Sequence, residues 1–390
     1  MKFKSFHLSR TKPVIKYGDI DNLDNMQTNV DTRTIDARIM ELTEQWMHDR
    51  DEDMVTPSLE PTLGVMFNEG LNANQGGKRL RALLSLAAFD AYGQGGLDDD
   101  SHMLDLACAI EIYQTSALIH DDIIDDSLLR RGKPTAHIVL QQATRSSSDG
   151  KGLALMLGNM LATASTDIAA TALANPTMQH PKANLHTFLD MQRAVEIGQG
   201  LDLGAESISL KEPSELVEAS LNVFAWKTAS YTTIAPLELG LCASGMAPDR
   251  AKQNARAIGV PLGTAFQLAD DLLDVVGTTG STGKPIGGDV RKGKRTVLLA
   301  DALVAANKKD ADTLIHIYES HSRSDEDVRT ALNLLVTTGS VQTSRQRIAQ
   351  LWEQTQAAIN EAELAPNSKA TLKDICAQFI PQAFLQVGSF

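Results

Sequence analysis

Apolar residues recur at three- and four-residue steps along most of the chain, the spacing that lines one face of a helix. From about Asp36, Ile39, Leu42, Trp46 and Met47 share such a face. Leu80, Leu83, Leu84, Ala87 and Ala88 repeat it over 78–92. The same pattern predicts helices over 101–129, 152–174, 186–204, 214–245, 249–276, 294–307, 310–320, 325–338, 341–362 and 367–386. Alternating Val/Ile/Tyr runs between tight turns are nearly absent, so strands are not expected. Gly-, Ser- and Pro-rich breaks fall at 93–100, 146–152, 175–182 and 277–289. The last, GTTGSTGKPIGGD, is too long and glycine-rich for a simple connector, and such loops often carry function. Residues 1–34 lack periodicity and read as a polar tail or arm, which leaves 35–390 as a single all-α domain. No repeat at a solenoid period is found. Long Ala/Leu-rich helices need several neighbours to cover them, so the expected architecture is a large helical bundle.

Composition narrows the functional classes. The 390 residues are 43% apolar and 22% charged, a folded rather than disordered composition. The net charge of −13 disfavours nucleic acid bound through a general basic surface, and a polybasic membrane anchor. Cys108, Cys242 and Cys376 are far apart and suggest neither a disulfide framework nor a zinc motif; a cytoplasmic location follows as an expectation. The N-terminus has no apolar signal region, and no stretch approaches the roughly 18 apolar residues of a membrane span. No integral membrane contact is expected.

The sharpest feature is LIHDDIIDDSLLRRG, residues 118–132. Asp121, Asp122 and Asp125 share a helix face at spacings of three and four. A lone cluster of this kind is usually a solvated charged face. Here Leu118, Ile119, Ile123, Ile124, Leu128 and Leu129 interleave with the acids. Like charges at this spacing repel, by about a few tenths of a kcal/mol per exposed pair and more when buried. FQLADDLLDVVG repeats the arrangement with Asp270, Asp271 and Asp274. Oxygen-only ligands at this density suit Mg²⁺ or Mn²⁺, and Mg²⁺ usually keeps waters and binds substrate phosphates. Two facing clusters therefore predict a diphosphate between them. Matching cations adjoin both: Lys78, Arg79 and Arg81 in GGKRLR, Arg130 and Arg131 after the first cluster, Lys227 beside Thr228, and Lys284 and Lys294 flanking Asp289. Any one of them alone reads as a solvated surface cation.

In their order along the chain, GGKRLR, HDDIIDDSLLRRGKPTAH, GQGLDL, Lys227-Thr228, FQLADDLLD and GKPIGGDVRKGKRT resemble the all-trans polyprenyl diphosphate synthases, which include farnesyl and geranylgeranyl diphosphate synthases. The resemblance runs from about residue 45 to about 345. It implies an all-helical homodimer of the isoprenoid synthase type with a central cavity in each subunit. It implies isopentenyl diphosphate and an allylic diphosphate as substrates, with three Mg²⁺ ions bridging the aspartate motifs. By similarity, Asp121, Asp125 and Asp270 are direct metal ligands, and Asp122, Asp271, Asp274 and Asp289 weaker ones or holders of metal-bound water. Lys227, Lys284 and Arg130 would bind the allylic diphosphate, with Lys294 near. Lys78, Arg81, Arg131 and Gln114 would bind isopentenyl diphosphate. Thr228 and Gln267 would steady the carbocation or guide proton removal, and Gln199 and Asp202 face the site. His120 and His137 read as packed residues rather than bases. Ala82 and Leu298 stand where the family often has proline, and Asn159 where it usually has aspartate.

The resemblance extends to product length, which depends on side chains below the first motif. One helical turn rises ~5.4 Å, close to one isoprene unit. Ser116 and Ala117 are small, and Tyr113 one turn further is a candidate floor that implies geranylgeranyl diphosphate; the competing reading packs Tyr113 into the bundle or a dimer contact. A class I terpene cyclase would usually lack the second DDxxD and GGKR, and a non-catalytic partner subunit would have lost an aspartate motif. A plain structural bundle would bind no Mg²⁺-diphosphate.

Overall fold

The periodic stretches fold as helices in the computed structural model, which describes residues 31–49, 55–92, 101–277 and 286–385. In chain order they are α1 (Thr32–His48), α2 (Glu60–Ala73), α3 (Leu80–Tyr92), α4 (Ser101–Ile124), α5 (Ala136–Thr144), α6 (Ser147–Leu173) and α7 (Pro181–Ala205). Next comes α8, Pro213–Val223 continued through a π-helical Phe224–Ile234 into Ala235–Ala243. Then follow α9 (Pro248–Val276), α10 (Gly288–Lys292), α11 (Val297–Ala305), α12 (Lys308–Glu319), α13 (Asp325–Thr337), α14 (Ser340–Glu361), α15 (Pro366–Ala377) and α16 (Gln382–Leu385). One short ladder, β1 (Leu129–Arg130) against β2 (Lys133–Pro134), is the only sheet among the described residues.

Local chemistry sets the helix ends. Asp31 caps α1 by accepting from the Thr34 N–H at 2.8 Å, so residues assigned to a tail begin the first helix. Residues 1–30 of that tail lie outside the described residues. Ser146 caps α6, and helix replaces much of the break expected at 146–152. The helix expected over 101–129 stops at Ile124. Asp126 adopts a left-handed conformation (φ 51°), and the Ser127 N–H returns to the Asp122 carbonyl at 2.9 Å. This 6→1 closure is a Schellman stop with aspartate in glycine's usual place. Arg131 and Gly132, both at positive φ, then turn the ladder tightly.

The main core is built where α4 lies along α6 and where α9 packs against α8 and α14. A smaller core gathers α11, α12 and α13 with Leu210 and Leu216. By length and composition α6 is apolar enough to cross a membrane, which corrects the expectation of no such stretch; here it packs on α4 and α5.

The π-helical stretch of α8 holds Lys227 and Thr228. Hydroxyls loosen the ordinary ladder there: Ser230 Oγ donates to the Trp226 carbonyl at 2.5 Å and Thr233 Oγ1 to the Ala229 carbonyl at 3.1 Å. Widened turns of this kind are frequent at functional sites. α7 crosses α8 at Gly198, where an added Cβ would stand 2.3 Å from the Lys227 backbone nitrogen. Only glycine lets the two backbones approach this closely. Gly198→Ala is expected to destabilise the fold by about 1–3 kcal/mol through overpacking. It should also lower activity by moving Lys227. Urea unfolding and a rate assay on the same preparation check both effects.

Candidate active site

The C-terminal end of α4 brings Asp121 and Asp122 to cations from two other elements, β1 and α8. Arg130, on β1, donates from Nε and Nη2 to the two Asp122 oxygens at 2.7 Å each, and from Nη2 to Asp121 at 3.3 Å. Lys227 Nζ reaches Asp121 at 3.1 Å and Asp202, on α7, at 2.6 Å. Burial works against charge on Asp121, but Lys227, Arg130 and Lys294 outweigh it and hold its carboxyl below the usual range. Asp125 is exposed and pairs with Lys292 at 2.6 Å. Asp126 turns away onto Lys151.

The second cluster sits at the end of α9. Asp270 is exposed there, within electrostatic reach of Lys78. Asp271 is buried; its Oδ1 accepts from Gln267 Nε2 at 2.9 Å, and Gln267 Oε1 accepts from Thr228 Oγ1 at 2.8 Å. Asp274 accepts the backbone N–H groups of Gly288 and Asp289 at 3.0 Å each, anchoring α10. Lys294 is the common element. Asp289 first, then Asp271, Asp202 and Asp121, raise its ammonium well above the ordinary value. One lysine is therefore within electrostatic reach of carboxylates from both clusters.

A different environment forms around GGKRLR. Arg81 Nη2 donates to Thr232 at 2.7 Å and its guanidinium lies 4.2 Å from the Tyr231 ring centroid. Arg131 Nη1 donates to the Gly76 carbonyl at 2.8 Å. Burial, then the neighbouring Arg79, Arg130 and Arg81, lower Arg131 from its usual value. The tight turn thus sends two consecutive arginines apart, Arg130 to the carboxylates and Arg131 to the glycine loop. Arg79 is structural: it donates to Asp36 and to the Asn74 carbonyl. Ala82 is accounted for, because its N–H donates to Glu111 at 3.1 Å, a bond proline would lack. Leu298 is a core residue of α11, and Asn159 is exposed on α6.

On α4, Tyr113, Ala117 and Asp121 follow at four-residue steps. Tyr113 is buried, donates to the Gln192 carbonyl at 3.2 Å and meets Tyr231 edge-on at 6.4 Å between centroids. Ser116 instead donates to the Gly158 carbonyl on α6 at 2.7 Å, and His120 packs against Gly158. His137 is buried, which lowers its pKa. Gln114 and Gln199 are half-buried. Lys284 lies outside the described residues. Lys292 and Tyr231 were not singled out from the sequence; the position of Lys292 three residues after Asp289 was the available signal.

The family model of the polyprenyl synthetases matches residues 66–335. The chain belongs to the polyprenyl synthetase family. A geranylfarnesyl diphosphate synthase of Aeropyrum pernix is 31% identical over 70% of this chain and 79% of its own. A short chain isoprenyl diphosphate synthase of Methanothermobacter thermautotrophicus is 32% identical over 63% and 69%. Among solved structures, a geranylgeranyl pyrophosphate synthase from Corynebacterium glutamicum, complexed with isoprenyl diphosphate and magnesium, superimposes with a TM-score of 0.75 at 30% identity, covering 90% of this chain and 99% of its own. This polyprenyl synthetase is a prenyltransferase enzyme of all-α fold.

Burial, then Asp289 and Asp270 against Lys294, push Asp271 up to about 8; burial and Asp289 push Asp274 up to about 6. Both folded values exceed the ordinary 3.8. Their contribution to stability is therefore full below pH 4 and is lost as pH rises through 6 and 8. Asp271→Asn is expected to raise the unfolding midpoint of the metal-free protein by an increment that grows from pH 5 to pH 8 and then levels off. Chelator-containing melts across that range check it.

Proposed function

We propose that this polyprenyl synthetase is a divalent-metal-dependent trans-prenyltransferase that joins isopentenyl diphosphate to an allylic diphosphate, with geranylgeranyl diphosphate as the main product. The observation that supports this reading is Lys294 within electrostatic reach of both aspartate clusters, beside a separate group of arginines.

The donor set fits Mg²⁺. Asp271 Oδ2 is buried without a hydrogen-bond partner, and burial, reinforced by neighbouring carboxylates, keeps Asp271 and Asp274 reluctant to ionise. Among the described residues no three acidic or imidazole side chains form a ready-made cage, so water and phosphate oxygens would have to complete the ion's shell. Asp121, Asp125 and Asp270 would hold it, with Asp122, Asp271, Asp274 and Asp289 behind them. When bound, Mg²⁺ offsets the charge that builds on a departing diphosphate.

The chain's own cations complete the work. Lys227, Arg130 and Lys294, with Lys284, grip the allylic diphosphate and favour its departure. Arg81, Arg131, Lys78 and Gln114 hold isopentenyl diphosphate, whose double bond attacks the allylic carbocation. Thr228 and Gln267 present oxygen dipoles toward that cation, and the proton leaves to the released diphosphate. Tyr113, tied to α7, closes the space below Ala117 and limits chain growth. A homodimer is part of the reading. Leu189, Ile197 and Leu201 on α7 and Leu155 and Met156 on α6 are exposed apolar residues on two packed helices, a surface suited to a second copy. The site of action is the cytoplasm.

Incubation with Mg²⁺, isopentenyl diphosphate and primers of five, ten or fifteen carbons, followed by mass analysis, should yield a twenty-carbon product. Tyr113→Ala should lengthen it, and a fifteen-carbon product from the unaltered protein contradicts the Tyr113 floor. Asp121→Ala should reduce turnover by roughly a hundredfold or more. No condensation with any primer contradicts the whole reading.

A further inference from the structure

The basic run around α10 divides in two. Arg291 pairs outward with Asp325 at 2.9 Å, and Arg295 donates to the Glu206 carbonyl at 2.7 Å. Lys294 lies within electrostatic reach of both clusters. Lys292 turns to the first cluster: its Nζ lies 2.6 Å from Asp125 Oδ2 and 3.1 Å from Ser127 Oγ. The other end of the same helix rests on Asp274 of the second cluster, through the Gly288 and Asp289 N–H groups. α10 is thus tied to both clusters at once.

Asp125 is exposed and pairs with Lys292. A magnesium ion on that oxygen would sit ~2.0–2.1 Å away. An ammonium 2.6 Å from the same oxygen stands in the space such an ion and its ligands need. The carboxylate has a second oxygen, but a divalent ion bound to it repels an ammonium this close and weakens its hold, so a metal on Asp125 favours displacement of Lys292. The displaced ammonium remains on a helix anchored at the cleft, beside whatever anion the metal carries. We propose that Lys292 is a further diphosphate-binding residue, which neutralises Asp125 while the metal is absent and passes to the metal-bound diphosphate when Asp125 is taken. The proposal rests on the reading of Asp125 as a metal ligand.

The test uses the full chain freed of metal and two probes: Mg²⁺ alone, followed by thermal unfolding, and inorganic diphosphate at saturating Mg²⁺, followed by calorimetry. In Lys292→Gln the Mg²⁺ concentration at half-effect should fall about twofold to fivefold, the scale of a half-exposed ion pair. The diphosphate Kd should rise roughly tenfold, the scale of a lost charged hydrogen bond. Lys292→Arg should retain diphosphate binding. In an Asp125→Asn background, Lys292→Gln should no longer alter the Mg²⁺ titration. Unchanged diphosphate affinity in Lys292→Gln overturns the proposal, as does weakening of both titrations together, which marks a merely structural role. An unaltered protein that responds to neither probe overturns the reading of the cleft itself, and the proposal with it.

Discussion

Repulsion between carboxylates is the constraint on which the rest of this structure depends. Two unit charges 4 Å apart interact by ~4 kcal/mol at an effective dielectric of about 20, and the cleft collects eight aspartates from α4, α7, α9 and α10. The chain manages them in three ways. Guanidinium and ammonium groups pair with Asp121, Asp122, Asp125 and Asp202. Backbone N–H groups at the start of α10 take Asp274. What those cannot reach is held toward its neutral form, as with Asp271. On the proposed reading the same cations serve twice, first as partners of carboxylates and then as partners of a diphosphate. An acidic chain needs few basic groups for this, provided that each stands where the exchange takes place.

Position is therefore what the scaffold must supply. The widened turn of α8 and the glycine crossing at Gly198 set Lys227 between Asp121 and Asp202. The Schellman stop at Asp126 ends α4 at Ile124, directly before Asp125, and the turn at Arg131-Gly132 then brings Arg130 back over Asp122. Had α4 continued to residue 129, as its apolar pattern suggests, Arg130 would have been carried along the helix axis away from its carboxylates. The local backbone irregularities of this fold concentrate at the residues that handle charge.

This explains which parts were legible from the sequence. Helical periodicity reports burial, and it located the long helices and the two aspartate faces. It missed α2, whose glycines and asparagines dilute the pattern, and α5, which is short. It overran α4 because the stop is made by backbone geometry at an aspartate rather than by glycine or proline. It placed a break at 146–152 where Ser146 caps a helix instead. The motif residues were readable as types, but their partners were not. That Arg79 is bound to Asp36 and the Asn74 carbonyl while Arg81 faces Tyr231, or that Lys292 rather than Arg291 faces the cleft, is decided by tertiary packing.

The contrast between the two anion environments carries a chemical consequence. Both proposed substrates end in a diphosphate, so recognition of that group alone cannot assign their roles. One environment is lined by carboxylates with lysines near them and, on the proposed reading, takes a diphosphate when divalent cations come with it. The other gathers Arg81 and Arg131, where burial and neighbouring arginines together lower Arg131, and on the proposed reading an anion there relieves that strain without metal. A diphosphate among metals is prepared to leave, because charge appearing on it is offset there. A diphosphate held by guanidinium groups is gripped but not activated. On the proposed reading the electrophile and the nucleophile are distinguished by which diphosphate the carboxylates surround, and the divergence of Arg130 and Arg131 from one tight turn draws the boundary between the two.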